Sequence, residues 1–361
     1  MRIFPIGLQP AAYQPASYGT LVKWKEEEDG DTNTMKTVRP NAETGTRCRI
    51  SALRRLTIIA VLAMGPGLCW GARDVTFVVG SDLHYYGTNP NQFIQKCIDR
   101  INVLPGTAYP AAVGGVVGPV SGVVLNGDLA DRGKAIEWGF FENDWGLAGE
   151  KRCKFPVYEG QGNHDARGGE IVASNIVQRN KSRPGVMNIS TNGLHYSWEW
   201  SGVHFIQANM VAEDDSYQRA RGSLVFIRDD LKKNVGASGK PVIINFHLSP
   251  MIEQDWAIEW QKPLVETLSR YNVIGVFCGH SHGYIVTKEG RVPDPSYECR
   301  KFPGSALDLY DDGSMRDDGA RPKWKPSGRF FVVHITDTNM VAVMNTPEGW
   351  GTPHIKPIPS R

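Results

Sequence analysis

Five short apolar runs in this chain each end on a histidine, an aspartate or an asparagine. Asp82-Leu83-His84 follows residues 74–80, and Gly127-Asp128 follows 122–126. Gly162-Asn163-His164-Asp165 follows 156–159, His247 follows 242–246, and Gly279-His280-Ser281-His282 follows 273–278. Carboxylate, amide and imidazole groups are all ligands for metal ions. The mixture of nitrogen and oxygen suits Mn, Fe, Zn or Co better than Ca or Mg, and ligand type does not choose among those four. Asp82 and His84 lie two residues apart, as do His280 and His282. In extended backbone such residues point the same way, so one ion can be held by both. The glycines beside Asn163 let the chain turn sharply and approach an ion closely.

The elements that must position these residues follow from the apolar patterning. The runs are too short for helices and rich in β-branched residues, so they are expected to be buried strands. Ligands of open α/β sheets bind beyond the carboxyl ends of the strands, where these residues would sit. Between them, 91–103 carries Phe93, Ile94, Cys97, Ile98 and Ile101 at helical spacing. Helices are also expected over 134–148, 171–180 and 256–270, with another capped by Ser223. Residues 194–200 and 203–208 alternate around Ser201-Gly202 as a hairpin, and 330–335 and 340–344 are closing strands. Segment 105–120 is a loop, and 287–327 is a loop long enough to be a lid. His195, His204 and His334 have no ligand-like neighbour and are assigned to core or surface. Asp131 is assigned to a helix start, and Arg132 either faces a phosphate or forms an ion pair.

The bulk numbers bound the rest. The chain has 361 residues, 41% of them hydrophobic, enough for a sizeable core. A net charge of +2 gives no basic field for nucleic acid or an anionic membrane. There is no internal repeat and no apolar run of transmembrane length. Residues 1–50 are polar and are expected to be disordered or an upstream extension, with Met35 as a possible true start. Residues 51–72 pair Arg54-Arg55 with an apolar stretch to Leu68 and have the pattern of a signal peptide, so export to a periplasm or medium is expected. That leaves 73–361 as a single domain. Its cysteines, Cys97, Cys153, Cys278 and Cys299, would be in a setting that permits disulfides, with the pairing open.

The ordered set D-x-H, G-D, G-N-H-D, H and G-H-x-H closely resembles the calcineurin-like metallophosphoesterase superfamily, over about residues 73–345. The resemblance implies an α/β fold, a four-layer sandwich of two mixed β-sheets flanked by helices. It implies two metal ions. One would be held by Asp82, His84, Asp128 and His282, the other by Asp128, Asn163, His247 and His280. Asp128 and a water or hydroxide would bridge them, and the hydroxide would attack phosphorus. His164 would not be a ligand; it would contact the scissile phosphate or protonate the leaving group, with Asp165 orienting it. The implied substrate is a small phosphate ester, either monoester or diester. Purple acid phosphatases share much of this pattern but place a Tyr shortly after the bridging Asp. Here Leu129, Ala130 and Asp131 stand there, which sets that group aside. The alternative is a non-catalytic metal-binding scaffold of the same fold; the retained His164 and complete ligand set weigh against it.

Overall fold

The computed structural model describes residues 72–87, 92–212, 221–249, 258–287, 290–293, 296–302, 304–316 and 328–359. Residues 1–71, with nearly all of the expected signal segment, lie outside them, as do 317–327 of the expected lid.

Strand β1 (Asp74–Gly80) shows why the molecule is layered. Val75, Phe77 and Val79 point to one face and Val78 to the other, and all four are buried. A strand buried on both faces needs packing above and below it. Phe77 and its neighbours meet Tyr158, Trp198, Phe205, Phe277 and Phe331 in the core between the two sheets. Each such fully buried side chain contributes about 1.5–3 kcal/mol.

The first sheet runs β15 (Gly349–Trp350), β14 (Asn339–Thr346), β13 (Phe330–Thr336), β1, β2 (Val120–Asn126), β3 (Val157–Gly160), with β16 (His354–Pro357) also on β14. Strands β1, β2 and β3 are parallel, and β13 is antiparallel to β1. Helices α1 (Gln92–Asn102), α2 (Ala135–Asp144) and α3 (Ile171–Asn180) cover its outer face, where Ile98, Phe141 and Ile176 pack with Val78, Val123 and Leu125.

The second sheet runs β11 (Cys299–Lys301), β12 (Asp308–Asp311), β8 (Val273–Gly279), β7 (Val242–Leu248), β6 (Val203–Gln207), β5 (Tyr196–Trp200), β4 (Val186–Ile189). Strands β6, β7, β8 and β12 are parallel. Helices α4 (Ser223–Asp230) and α5 (Ile258–Leu268) cover its outer face, where Leu224, Ile227, Leu264 and Leu268 pack on Ile206, Ile244 and Val276. Among the described residues, strands β9 (Tyr284–Thr287) and β10 (Gly290–Pro293) pair with each other in a separate two-stranded sheet. The expected sandwich of two mixed sheets between helical layers is therefore present. Both parallel sets deliver their carboxyl ends to one place.

Several local expectations need correction. Helix α2 stops at Asp144 rather than 148. Trp145 leaves helical geometry, its indole Nε1–H donates to the Tyr85 hydroxyl at 3.1 Å, and the amides of Leu147 and Ala148 turn to Glu150. The N-cap position of α4 is Gly222, not Ser223, which is the first helical residue. Much of the expected lid is sheet: β12 lies parallel beside β8, with Leu309, Tyr310 and Asp311 buried. Its two apolar residues are too few to show a period among the surrounding Pro, Gly and Asp. Cys153, Cys278 and Cys299 form no disulfide among the described residues, and Cys97, Cys153 and Cys278 are buried.

Candidate metal centre

Three of the five strand ends turn through backbone that ordinary residues avoid. Asp82, His84, Asp128, His280 and His282 all have positive φ, between 48° and 67°. Such left-handed residues cost about 1–3 kcal/mol each and persist where the surroundings over-determine them. Residues 81–84 are thus not an extended continuation of β1. The D-x-H pair still converges, but through a left-handed turn. Two glycines make room for it. A Cβ on Gly162 would lie 2.3 Å from the Asp128 amide nitrogen, and one on Gly279 would lie 2.6 Å from Asp82 Oδ2. At His247 the ladder between β7 and β8 slips in register between Asn245 and Leu248. Irregularities of this kind re-aim side chains.

The convergence forms two clusters that share one carboxylate. In the first, His282 Nε2 lies 2.9 Å from Asp82 Oδ1 and 3.2 Å from His84 Nε2. His84 Nε2 lies 3.6 Å from Asp82 Oδ1 and 3.6 Å from Asp128 Oδ2. In the second, His247 Nε2 lies 3.3 Å from Asp128 Oδ1 and 2.9 Å from Asn163 Oδ1, and His280 completes the group. Asp128 therefore presents one oxygen to each cluster.

The donor atoms fit a pair of cations. Asp82 Oδ1 and Asp128 Oδ2 are buried and accept no well-directed hydrogen bond among the described residues. Metal bonds of ~2.1 Å to nitrogen and oxygen put neighbouring ligand atoms ~3.0 Å apart in an octahedron and ~3.4 Å apart in a tetrahedron. The observed separations of 2.9–3.6 Å bracket those edges. Behind the ligands, His247 Nδ1–H donates to the Asn126 carbonyl at 2.7 Å, which leaves Nε2 to face the cluster. The backbone amide of His247 donates in turn to the carbonyl of Asn209 at 2.7 Å.

In the absence of cations, the acids and imidazoles hold one another's charge. Burial works against a charged Asp82 and Asp128, but the histidines around them outweigh it and keep both carboxyls well below their ordinary range. Burial likewise opposes a charged His84 and His247, yet the Asp residues raise them to about 10 and about 9. His280 goes the other way, to about 3, from burial and the neighbouring His247.

His164 stands beside these two clusters and, with His84 and Asp131, forms a third metal-capable group. Its ring meets the His84 ring edge-on with centroids 4.4 Å apart, and 22% of its side chain is exposed. Its Nδ1–H donates to the Asp131 backbone carbonyl at 2.8 Å. The Asp131 carboxylate lies 3.5 Å from that nitrogen and 3.5 Å from His84 Nδ1. The His164 and His84 imidazoles beside it hold the Asp131 carboxyl far below the ordinary carboxylate range.

A family model for calcineurin-like phosphoesterases matches residues 75–284, more than half of the chain. The chain belongs to that family. No curated protein matches this calcineurin-like phosphoesterase sequence. Among solved structures, GAP50, the anchor in the inner membrane complex of Plasmodium, is 12% identical, with 80% of this chain and 90% of that one covered and a TM-score of 0.49. Vps29 of Entamoeba histolytica, complexed with Zn²⁺, is 12% identical, with 79% and 100% covered and a TM-score of 0.36. A putative 5'-nucleotidase from Staphylococcus aureus is 11% identical, with 80% and 55% covered and a TM-score of 0.39. These likenesses concern the fold.

Two site expectations for this calcineurin-like phosphoesterase are revised by the geometry. Asp165 does not orient His164. Its carboxylate accepts the amides of Ala130 at 2.7 Å, Gly162 at 2.8 Å and Leu129 at 3.2 Å, and so ties the loop after β2 to the loop after β3. A short 3₁₀ turn, Asp165–Gly168, points it there. Asp131, expected to be a helix-start residue, is the group that meets His164. The other assigned histidines are structural: His204 pairs with Asp230 at 2.5 Å in the interior, and His334 pairs with Asp74 at 2.9 Å.

Proposed function

We propose that the chain is an exported phosphoester hydrolase that works with two metal ions, and that residues 51–72 direct its export. The observation that carries the catalytic part is Asp128, with Oδ1 turned to His247 and Oδ2 to His84. The basic pair Arg54-Arg55 ahead of an apolar run supports export.

Asp82, His84 and His282 would hold one ion, and Asn163, His247 and His280 the other, with Asp128 shared. When bound, such a pair draws charge from a phosphoryl oxygen and lowers the pKa of a nearby water. The chain's own residues account for the remainder. With Nδ1 committed to the Asp131 carbonyl, His164 has Nε2 left for a phosphoryl or leaving oxygen. The Asp131 carboxylate lies 3.5 Å from the committed Nδ1, on the far side of the ring from that free nitrogen's position. Arg132, whose guanidinium lies 5.0 Å over the half-exposed Tyr86 ring, adds positive charge next to Asp131.

A scaffold would need the ligand clusters but not the contact between His164 and Asp131. The test is to assay the full chain on bis(p-nitrophenyl) phosphate and p-nitrophenyl phosphate, with manganese and with chelator. Manganese-dependent turnover of either is expected, and the preferred compound separates diesterase from monoesterase. Turnover that ignores the chelator, or none with metal bound, would contradict the reading.

A further inference from the structure

The mechanism above leaves one group of buried acids unused. Asp311 and Asp312, at the end of β12, are each about 1% exposed, and they lie next to the first metal cluster. Asp312 Oδ2 accepts the Ser81 amide at 2.6 Å, and Asp312 Oδ1 lies 2.6 Å from Ser81 Oγ. Ser81 Oγ in turn contacts Asp82 Oδ2. That same Asp82 oxygen accepts the His280 amide at 2.8 Å. Two further bonds join the segments: Ser314 Oγ donates to the Asp82 carbonyl at 2.9 Å, and the Met315 amide donates to the Ser81 carbonyl at 3.0 Å. The carboxyl end of β12 in one sheet thus grips the carboxyl end of β1 in the other.

We infer that Asp312, acting through the hydroxyl of Ser81, is a positioning residue that fixes Asp82 with Oδ2 turned to the protein and Oδ1 turned to the metal cluster. The inference rests on the two-metal reading above.

Counting hydrogens sharpens it. Asp82 Oδ2, Ser81 Oγ and Asp312 Oδ1 form two close oxygen–oxygen contacts in a row. The serine hydroxyl supplies one hydrogen. A second must come from a carboxyl, because two anionic oxygens cannot share one donor hydrogen at these separations. The other oxygen of Asp82, Oδ1, faces the nitrogens of His84 at 3.6 Å and His282 at 2.9 Å. Among the described residues no cation lies at hydrogen-bond distance from Asp312, which is buried beside Asp311. The order is therefore Asp312 O–H to Ser81 Oγ, then Ser81 O–H to Asp82 Oδ2. A neutral acid placed there fixes geometry without adding negative charge to the cluster.

This order makes a specific prediction, because an asparagine side chain can reproduce both bonds of a neutral aspartic acid. Its carbonyl can accept the Ser81 amide and its NH₂ can donate to Ser81 Oγ. Manganese binding to the metal-stripped full chain would be measured by calorimetry for wild type, Asp312→Asn, Asp312→Ala, Ser81→Ala and Ser81→Ala/Asp312→Ala. Thermal unfolding in chelator would report any general loss of fold. Asp312→Ala and Ser81→Ala should each weaken binding about 10–100-fold. Asp312→Asn should stay within about threefold of wild type, and the double variant should be no weaker than Ser81→Ala alone. Should Asp312→Ala fail to fold, Ser81→Ala and Asp312→Asn still decide. Unchanged binding in Ser81→Ala would overturn the inference. So would an Asp312→Asn variant that folds as well as wild type but loses as much affinity as the alanine variants, since the carboxylate charge would then matter. A wild-type chain that binds no manganese overturns the metal reading itself, and this inference with it.

Discussion

The imidazole of His164 donates from Nδ1 to the backbone carbonyl of Asp131 at 2.8 Å, while the carboxylate of Asp131 lies 3.5 Å from the same nitrogen. One residue therefore sets both the tautomer and the electrostatic setting of the group expected to serve the leaving oxygen. The carboxylate also lies 3.5 Å from Nδ1 of the ligand His84, so the two functions meet at a single side chain. In Asp131→Asn the backbone carbonyl remains and the charge is lost. Turnover should fall on the order of tenfold or more, with KM moving less than kcat. Steady-state kinetics on the better p-nitrophenyl ester checks this, and an unchanged kcat would remove Asp131 from the mechanism.

The proposed mechanism gives His164 to the leaving oxygen rather than to either ion. His164→Ala should keep its bound manganese and lose about 10²–10⁴-fold in kcat. Metal content measured alongside kinetics separates this from a binding defect. Loss of metal in parallel with activity would make His164 a ligand after all.

Asp165 should behave differently from both. It accepts three backbone amides in the interior. Asp165→Ala leaves those donors unsatisfied, at about 1–3 kcal/mol for a buried group. The expected result is a lower thermal midpoint with the kcat of the folded fraction reduced only modestly. A normal midpoint with abolished kcat would restore Asp165 to a chemical role.

Metal binding should depend on pH in a direction the site dictates. In the metal-free chain His84 and His247 are raised to about 10 and about 9 by the neighbouring aspartates, against the opposing effect of burial. Both raised values favour the folded metal-free protein below the unfolded histidine value of about 6.5, and that contribution is lost as pH rises through about 9–10. A cation must displace those protons to bind. Affinity for manganese should therefore fall as pH is lowered from 9 to 7, by up to about tenfold per pH unit for each proton displaced. Calorimetry in buffers of different ionisation enthalpy would register the released protons. An affinity that is flat over this range, with no proton release, would contradict the assignment.

The parts of the site legible in the sequence were those written locally. Asp82 with His84, Asn163 with His164, and His280 with His282 sit within three residues of one another, behind strands whose apolar runs are unmistakable. The same runs mark the strands, and the sandwich is what the family resemblance implies. The role that the resemblance implies for Asp165 is not met, because the 3₁₀ turn carries its carboxylate back to the amides of Leu129 and Ala130. Asp131 acquires its role only when the loop after β2 is laid against the loop after β3. Asp312 lies 231 residues from Ser81, and no local pattern links the two. Strand β12 was hidden for a related reason: its burial comes from its place beside β8, not from a long apolar run.

The most direct test of the central claim is the number of manganese ions bound per chain, measured by calorimetry and elemental analysis on wild type and Asp128→Ala. Asp128 offers Oδ2 to the cluster of His84 and Oδ1 to the cluster of His247. The account predicts two ions in the wild type and severe loss at both positions in the variant, as expected of a shared ligand in a two-metal site. One ion or none in the wild type, or two retained by Asp128→Ala, would contradict it.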